Sequence, residues 1–507
     1  MAFYKKLKDL GLRNVIERTT YTSQYLKGSQ KVYSFLDDIL ENRRKVLLYG
    51  DYDADGLTTI LGWKEVFNLL IFKNYDIFKY GNRTHLLDDN AVKMAIEGRY
   101  DYIIVNDTAS NEMDKLKKLN RYGVKVILID HHQTKYNYED YPENCAVVNN
   151  VIENRILGKQ KYILSAGALV YVTLEPYMNS KGYDTRRMAC YALVSLYADC
   201  IDMSCEINRG IYYQAMQLKY EGLPEYISHF MNEYSEFTRR FIEFQWTPKM
   251  NSVFRSERFD LLNEYMLTTK PSNALSRSEK ADIIEQLTKV NRELVDKVTD
   301  IIEFELLDNF IVGNLSSVGE YFDVGALKLY NYTGLVANRL ANRYGKSAIV
   351  YCNTGKSIKG SFRDSLSRDY LSLFQQFCKS AGHNSAFGIH ISPFGFIEWL
   401  DYIRRIDKKF YIEAIPNRPI IVEHEEDEPD MRLLNDMAIY NEFSGSVIPI
   451  AIITKRFTGI IREYNSPYGG YRYKWGNVTI ESQTRLQVGS MIQCKPGLGK
   501  RIKLYVV

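Results

Sequence analysis

Residues 47–60 read LLYGDYDADGLTTI and place three carboxylates, Asp51, Asp53 and Asp55, directly after the apolar run Val46-Leu47-Leu48. A short apolar run bounded by glycine reads as a buried strand. The acids therefore stand where that strand stops. Outward from this stretch the pattern repeats: KVLLYG is followed by LTTILGWKEVFNLLI, YDYIIVND by NEMDKLKKLNRYG, and then come KVILIDHH and CAVVNN, all between Arg44 and Asn150. Apolar strands alternating with amphipathic segments of helix length predict βαβ units and a parallel sheet, hence an α/β first domain. Ligands of open sheets bind beyond the carboxyl ends of the strands. Asp51 to Asp55, Asp107, and Asp130-His131-His132 each sit at such an end. Further on, LVSLYADCID closes another apolar run, strand or helix, at Asp199 and Asp202.

The chain has 507 residues, enough for two to four domains at roughly 100–200 residues each. Its net charge is +4, so a nucleic-acid surface has to come from local clustering rather than global charge. There is no apolar run of about eighteen residues, and the opening MAFYKKLKDLGLRN lacks a signal peptide's continuous apolar stretch. The expectation is a soluble cytoplasmic protein with no membrane partner. Seven dispersed cysteines without a CxxC pair argue against a zinc ribbon or a disulfide framework. The 40 tyrosines are read as codon usage rather than as stacking platforms.

From about 225 to 310 the periodicity turns helical. Ser276 and Glu279 have capping-box spacing before ADIIEQLTKVNRELVDKVTDIIEFEL, which reads as one long connector helix. A second α/β segment follows to about 411, through DVGALKLYNY, TGLVANRLANRYG and SAIVYCN. Glu423 to Glu428 reads as a solvated acidic linker without chemistry. Lys455 to Val507 is β-rich and basic, with Phe457, Tyr464, Tyr471, Tyr473 and Trp475 interleaved. That fits a small basic barrel, and charge with stacking are the two terms that single-strand binding needs. NTGKS at 353–357 is not a phosphate loop, because Val350 stands where the first glycine is required and no helix pattern follows.

A lone DxD is more often a turn or a helix cap than a ligand set. Here several acids gather at one rim, where they would repel one another unless a cation neutralised them. Asp53, Asp55, Asp107, His131 and Asp199 give carboxylates with imidazole and no thiolate, a set suited to Mn²⁺ or Mg²⁺. The acids exceed the needs of one ion, and two ions around a bridging carboxylate suit phosphoester hydrolysis. On an extended backbone Asp53 and Asp55, two apart, would point to the same side, with Asp51 in the same parity.

YGDYDADG, Asp107, Asp130-His131-His132 and Asp199 resemble the four ordered motifs of the DHH phosphoesterase superfamily. FKYGNR ending at Arg83, EINR at 206–209, TPKMNSVFR at 247–255, KVNREL around Asn291, KGSFRD at 359–364 and SAGHNSAFG at 380–388 resemble, in order, the RecJ-type exonucleases. The resemblance implies a DHH catalytic domain at 1–225, a helical connector at 226–310, a DHH-associated substrate-binding domain at 311–411 and an OB-like nucleic-acid-binding domain at 412–507. It implies hydrolysis of single-stranded DNA from the 5′ end to mononucleotides, with two Mn²⁺ or Mg²⁺ ions. By the same resemblance Asp53, Asp55, Asp107, His131 and Asp199 hold the metals, Asp107 as the bridge, with Asp51 and Asp130 in the inner or the supporting layer. His132 faces the scissile phosphate. Ser361, Arg363 and His383 close over the terminal nucleotide, and Arg83 and Arg255 hold phosphate. Two departures stand out: NDTAS replaces an acid followed by a small residue and glycine, and Ala381-Gly382 replaces a glycine pair.

The expected enzyme is a monomer acting on single-stranded DNA, with a single-strand-binding protein or a helicase as candidate partners. Two other classes compete. A phosphodiesterase of the same superfamily acting on cyclic dinucleotides or short RNA would not need the connector or the C-terminal domain. A metal-free scaffold would not need the full acid set.

Overall fold

Val46 to Gly50, Tyr102 to Asn106 and Cys145 to Asn149 are buried at every position, the signature of strands covered by helices on both faces. In this computed structural model the described residues are 2–81, 84–231, 236–268, 277–318, 329–364, 370–376, 378–383, 386–407, 419–424, 428–444, 450–457, 464–465, 470–498 and 502–507. The chain divides into two units, one of Met1–Pro248, Asn263–Leu275 and Asn417–Val507, the other of Lys249–Leu262 and Ser276–Pro416.

In the first unit, β1 (Val46–Gly50), β2 (Tyr75–Ile77), β3 (Tyr102–Asn106), β4 (Lys125–Asp130) and β5 (Cys145–Asn149) form a parallel sheet in the order β2-β1-β3-β4-β5. Strand order reverses between β1 and β3, and that switch point opens a crevice at the carboxyl ends. Gly50 pairs with Asn106, and Asn106 with Ile129, so Asp51 and Asp107 leave the sheet side by side. The helix Ala54–Leu69 is buried on nearly all sides beneath the helices Ala166–Ser180 and Arg186–Ala198. The run before Asp199 is thus a helix: LVSLYA packs against other helices rather than pairing in the sheet.

The second unit has a mixed sheet of β6 (Glu303–Leu306), β7 (Phe310–Asn314), β8 (Ser347–Asn353), β9 (Ile358–Arg363), β10 (Lys379–His383) and β11 (Ala386–Ile391), ordered β10-β11-β9-β8-β7-β6. Alternate residues of β7 and β8 feed opposite faces: Ile311, Ala348 and Val350 pack under the helix Thr333–Tyr344, whereas Phe310, Val312 and Ile349 join Phe362 and Trp399. The helix Arg277–Ile301 is 25 residues long but stops short of the EFEL that the helical reading gave it, which pairs as β6 instead; Ser276 of the capping box lies outside the described residues. NTGKS forms the turn between β8 and β9, with Thr354 N donating to Ser357 O at 2.9 Å.

Returning to the first unit, β12 (Ile420–Glu423), β13 (Ala451–Arg456), β14 (Tyr464–Asn465), β15 (Tyr471–Trp475), β16 (Val478–Ser482), β17 (Met491–Gly497) and β18 (Lys503–Val506) pair in the order β12-β13-β17-β18-β16-β15-β14. The helix Met431–Phe443 packs on β17. Asn441 donates to Ala451 O at 3.0 Å and Pro496 O at 2.9 Å. Helix and sheet are joined to the rest of the first unit by Tyr197, whose hydroxyl donates to Glu442 O at 3.0 Å, and by Arg239, whose N–H donates to Glu442 Oε2 at 2.9 Å. The N-terminal helix Ala2–Asp9 also docks there, with Tyr4 donating to Asp436 and Lys6 to Ile421 O, both at 2.6 Å.

The aromatic residues of this sheet correct one expectation. Phe457, Tyr473 and Trp475 are buried, because alternate strand positions face the domain's own core. Lys455 lies over the Trp475 ring at 3.5 Å. Tyr471 is half-buried, and the Tyr464 side chain lies outside the described residues. The acidic stretch is not solvated throughout either: His424 is buried against Trp475, and residues 425–427 lie outside the described set. No helix among the described residues is long and apolar enough to cross a membrane.

Candidate metal centre

The YGDYDADG stretch folds around two close approaches. A Cβ on Gly56 would lie 2.4 Å from Asp51 O, and one on Gly50 would lie 2.5 Å from Gly56 O. Only glycine lets the first helical turn seat itself against the end of β1. Asp53 then caps the helix, accepting from Gly56 N at 3.0 Å, and Asp55 lies in its first turn. This overturns the extended-backbone argument. The helix begins between the two acids and sends them to different groups: Asp51, Asp53 and His85 form one, and Asp55, His131 and Asp199 another.

Asp55 is the most constrained acid. Its Oδ2 accepts from Ala166 N at 2.9 Å and its Oδ1 from Gly167 N at 3.0 Å, at the N-terminus of the helix Ala166–Ser180. Ser195 Oγ donates to the same Oδ1. A Cβ on Gly167 would come within 2.6 Å of Ser195 Oγ, so glycine is required for this approach. Sequence reading missed Ser195 and Gly167 because no local pattern marks a hydroxyl or amide that serves a residue more than a hundred positions away.

Asp107 follows β3 with φ +62°, tied by its N–H to Ile129 O at 2.9 Å. Its neighbour Asn106 donates to Tyr49 O at 2.9 Å and accepts from Trp63 Nε1 at 3.0 Å. His131 Nε2 stands 3.2 Å from Asp107 Oδ1 and 4.0 Å from Asp55 Oδ2, and its Nδ1 stands 3.7 Å from Asp199 Oδ2. Asp107, His131 and His132 make a third group, and within each group the donor atoms lie no more than 4.8 Å apart.

Asp130 serves a different end. It accepts from Ser110 N at 3.0 Å and His132 N at 3.1 Å, with His132 Nδ1 at 2.8 Å. Burial alone would raise its carboxyl, but the charge and hydrogen bonds of His132 hold it well below the usual range. Burial likewise opposes charge on His132, and Asp130 outweighs it, lifting the imidazole to about 10. Asn149 ties the loop down through His132 O and Ser110 Oγ, each at 3.0 Å.

The acids behave oppositely. Burial, followed by the charges of Asp55, Asp53 and Asp51, pushes Asp107 well above its ordinary value. Burial, then Asp199 and Asp53, raises Asp55 against its hydrogen bonds. Burial, then Asp51, raises Asp53. Asp51 Oδ1 and Asp107 Oδ1 are buried without a hydrogen-bond partner. Mutually repelling carboxylates with orphaned oxygens beside imidazole are what a divalent cation neutralises, so these residues fit a metal.

The expected substrate residues fall as follows. Ser361 and Arg363 share one face of β9; Ser361 Oγ is 2.9 Å from Thr333 Oγ1, and a Cβ on Gly334 would lie 2.8 Å from Arg363 Nη2. Both therefore border the start of the helix Thr333–Tyr344. Arg255 is half-buried, and its carbonyl accepts from Asn331 at 3.0 Å. His383 ends β10 in register with Ala386, which pairs with Arg363; its side chain lies outside the described residues. Arg83 lies outside them altogether.

Residues 45–198 match the DHH family, N-terminal domain. The chain is similar to the single-stranded-DNA-specific exonuclease RecJ of Bacillus subtilis, 25% identical over 340 residues that make up 64% of this chain and 40% of that protein. It is similar to the RecJ of Haemophilus influenzae, 22% identical over 421 residues, covering 74% of this chain and 70% of that one. It thus spans less than half of the first relative. Its fold matches a crystal structure of RecJ in complex with Mn²⁺ from Thermus thermophilus, with a TM-score of 0.71 at 15% identity, over 100% of this chain and 75% of that one. The parallel sheet with its acids at the switch point and the sheets that follow it agree with these matches: residues 45–198 carry a DHH-family domain, and the chain is similar to RecJ-type proteins in sequence and fold.

Proposed function

We propose that this protein is a metal-dependent exonuclease that hydrolyses single-stranded DNA from its 5′ end to mononucleotides, with two divalent ions, Mn²⁺ or Mg²⁺. The observation that carries this reading is the set Asp55, Asp107, His131 and Asp199, two buried acids with a half-buried imidazole and a half-buried acid, converging from two strand ends and two helix ends on one crevice. Bound ions would activate water and stabilise charge on the leaving oxygen. Asp107, 3.2 Å from His131 and under the charges of Asp55, Asp53 and Asp51, is assigned as the shared carboxylate. The helix amides and Ser195 hold Asp55 in one orientation before any ion arrives. His132, kept cationic by Asp130 through Nδ1, presents Nε2 to a non-bridging phosphate oxygen. Arg83, Arg255, Ser361, Arg363 and His383 are assigned to the strand's terminal phosphate and nucleotide, Arg being suited to bidentate phosphate contacts.

In this reading 1–225 is catalytic, 226–310 the connector, 311–411 substrate-binding and 412–507 strand-binding. Burial of Phe457, Tyr473 and Trp475 shifts strand binding at 412–507 from stacking towards charge. The same observation favours testing the competing substrates, short oligoribonucleotides and cyclic dinucleotides. Purified chain should degrade a 30-nucleotide DNA strand in Mn²⁺ and not in chelator, well ahead of either competitor. Preferential turnover of a cyclic dinucleotide would replace this reading.

A further inference from the structure

We propose that Asp51, Asp53 and His85 form a divalent-cation site in which His85 is a nitrogen ligand that selects Mn²⁺ over Mg²⁺. The inference rests on the metal-dependent reading above only in that the crevice binds cations.

Donor atoms of the three residues lie within 4.8 Å of one another. His85 Nδ1 is 2.8 Å from Asp51 Oδ2, while Asp51 Oδ1 is buried without a hydrogen-bond partner on a residue only 3% exposed. An ion pair between Asp51 and His85 would use one carboxylate oxygen and leave the other orphaned, an arrangement costly in a buried setting. A cation shared with Asp53 uses both acids and relieves their repulsion.

The loop carrying His85 is built to hold the ring in place. His85 O accepts from Thr108 Oγ1 at 3.2 Å, tying the loop to the residue after Asp107. Leu86 O accepts from Tyr49 at 2.9 Å, and Leu87 N donates to Glu112 at 2.6 Å. Asp51 is fixed from behind, its carbonyl accepting from Tyr80 at 3.0 Å. His85 itself is half-exposed, so an ion reaches it from solvent. Two carboxylates with one imidazole make a mixed O/N set, and imidazole suits Mn²⁺ and later transition ions better than Mg²⁺, which prefers oxygen and water.

The test is equilibrium binding of Mn²⁺ and Mg²⁺ to the full chain by calorimetry, with Mn²⁺ electron paramagnetic resonance as the second readout, on wild type, His85→Ala, His85→Gln and Asp107→Asn. His85→Ala and His85→Gln should each weaken one Mn²⁺ ion by about tenfold or more and change Mg²⁺ affinity much less. Matching far-ultraviolet circular dichroism establishes that the variants fold. If both His85 variants superimpose on wild type while Asp107→Asn loses Mn²⁺, His85 makes an ion pair only and this inference is overturned with the functional reading intact. If wild type binds no Mn²⁺, both fall.

Discussion

His131 Nε2 lies 3.2 Å from Asp107 Oδ1 while its Nδ1 lies 3.7 Å from Asp199 Oδ2, so one imidazole spans two carboxylates carried by a strand end and a helix end. The ring is a joint between the two acids. Removing either neighbour should therefore disturb the geometry of the other as well as subtract a donor.

Asp107→Ala should abolish hydrolysis, by 10³-fold or more on the scale of lost electrostatic catalysis, with the fold retained. Its carboxyl makes no hydrogen bond through Oδ1 and is held in an unfavourable charged environment. Thermal unfolding of the metal-free variant should match or exceed wild type. Wild-type turnover in the variant would contradict the assignment.

Ser195→Ala tests positioning. The hydroxyl donates to Asp55 Oδ1 but lies outside the donor groups. The expectation is a fall in kcat of about tenfold with weaker Mn²⁺ binding and an unchanged KM for DNA. A change confined to KM would show that Ser195 does not act through Asp55.

Ala109 has φ +77°, a conformation that disfavours an L residue by roughly 1–2 kcal/mol. Glycine there loses about 0.5–1 kcal/mol in chain entropy. Ala109→Gly should therefore stabilise the protein by up to about 1 kcal/mol, read by urea denaturation. Destabilisation would mean that the methyl group's packing outweighs the strain.

Glu442 gives the pH prediction. Burial raises its carboxyl to about 7, against the N–H and charge of Arg239, with Glu243 and Lys495 also nearby. Raised above its unfolded value near 4.3, it contributes stability that is full below that value and lost as pH rises through about 7. The difference is on the order of 3–4 kcal/mol. Glu442→Gln should be more stable than wild type at pH 8 and should flatten the slope between pH 5 and 8. Parallel denaturation curves would exclude this role.

The parallel sheet was legible because β1, β3, β4 and β5 are largely continuous apolar runs, the first three of them closing on Asp51, Asp107 and Asp130. The separation of Asp53 from Asp55 was not, because an N-cap at Asp53 and an extended Asp53 share the same local sequence; only the clash that any side chain at Gly56 would make reveals the helix. His85 carried little signal, since a lone histidine in a loop has many roles and its partner Asp51 is 34 positions away. The C-terminal region misled in a different way. Alternation in β15 and β16 predicts strands well, but not that Tyr473 and Trp475 face inward. Nor does it show that Tyr197 and Arg239 hold Glu442, so removal of 412–507 would strip contacts from the rest of the first unit rather than detach a free module.

The most direct test of the central claim follows one linear DNA strand labelled at either end, beside a circular strand, in Mn²⁺ and in chelator. The account predicts that the 5′ label leaves first as a mononucleotide, the 3′ label stays on progressively shorter strands, the circle survives, and chelator stops everything. Early loss of the 3′ label, cleavage of the circle, or full activity in chelator would contradict it.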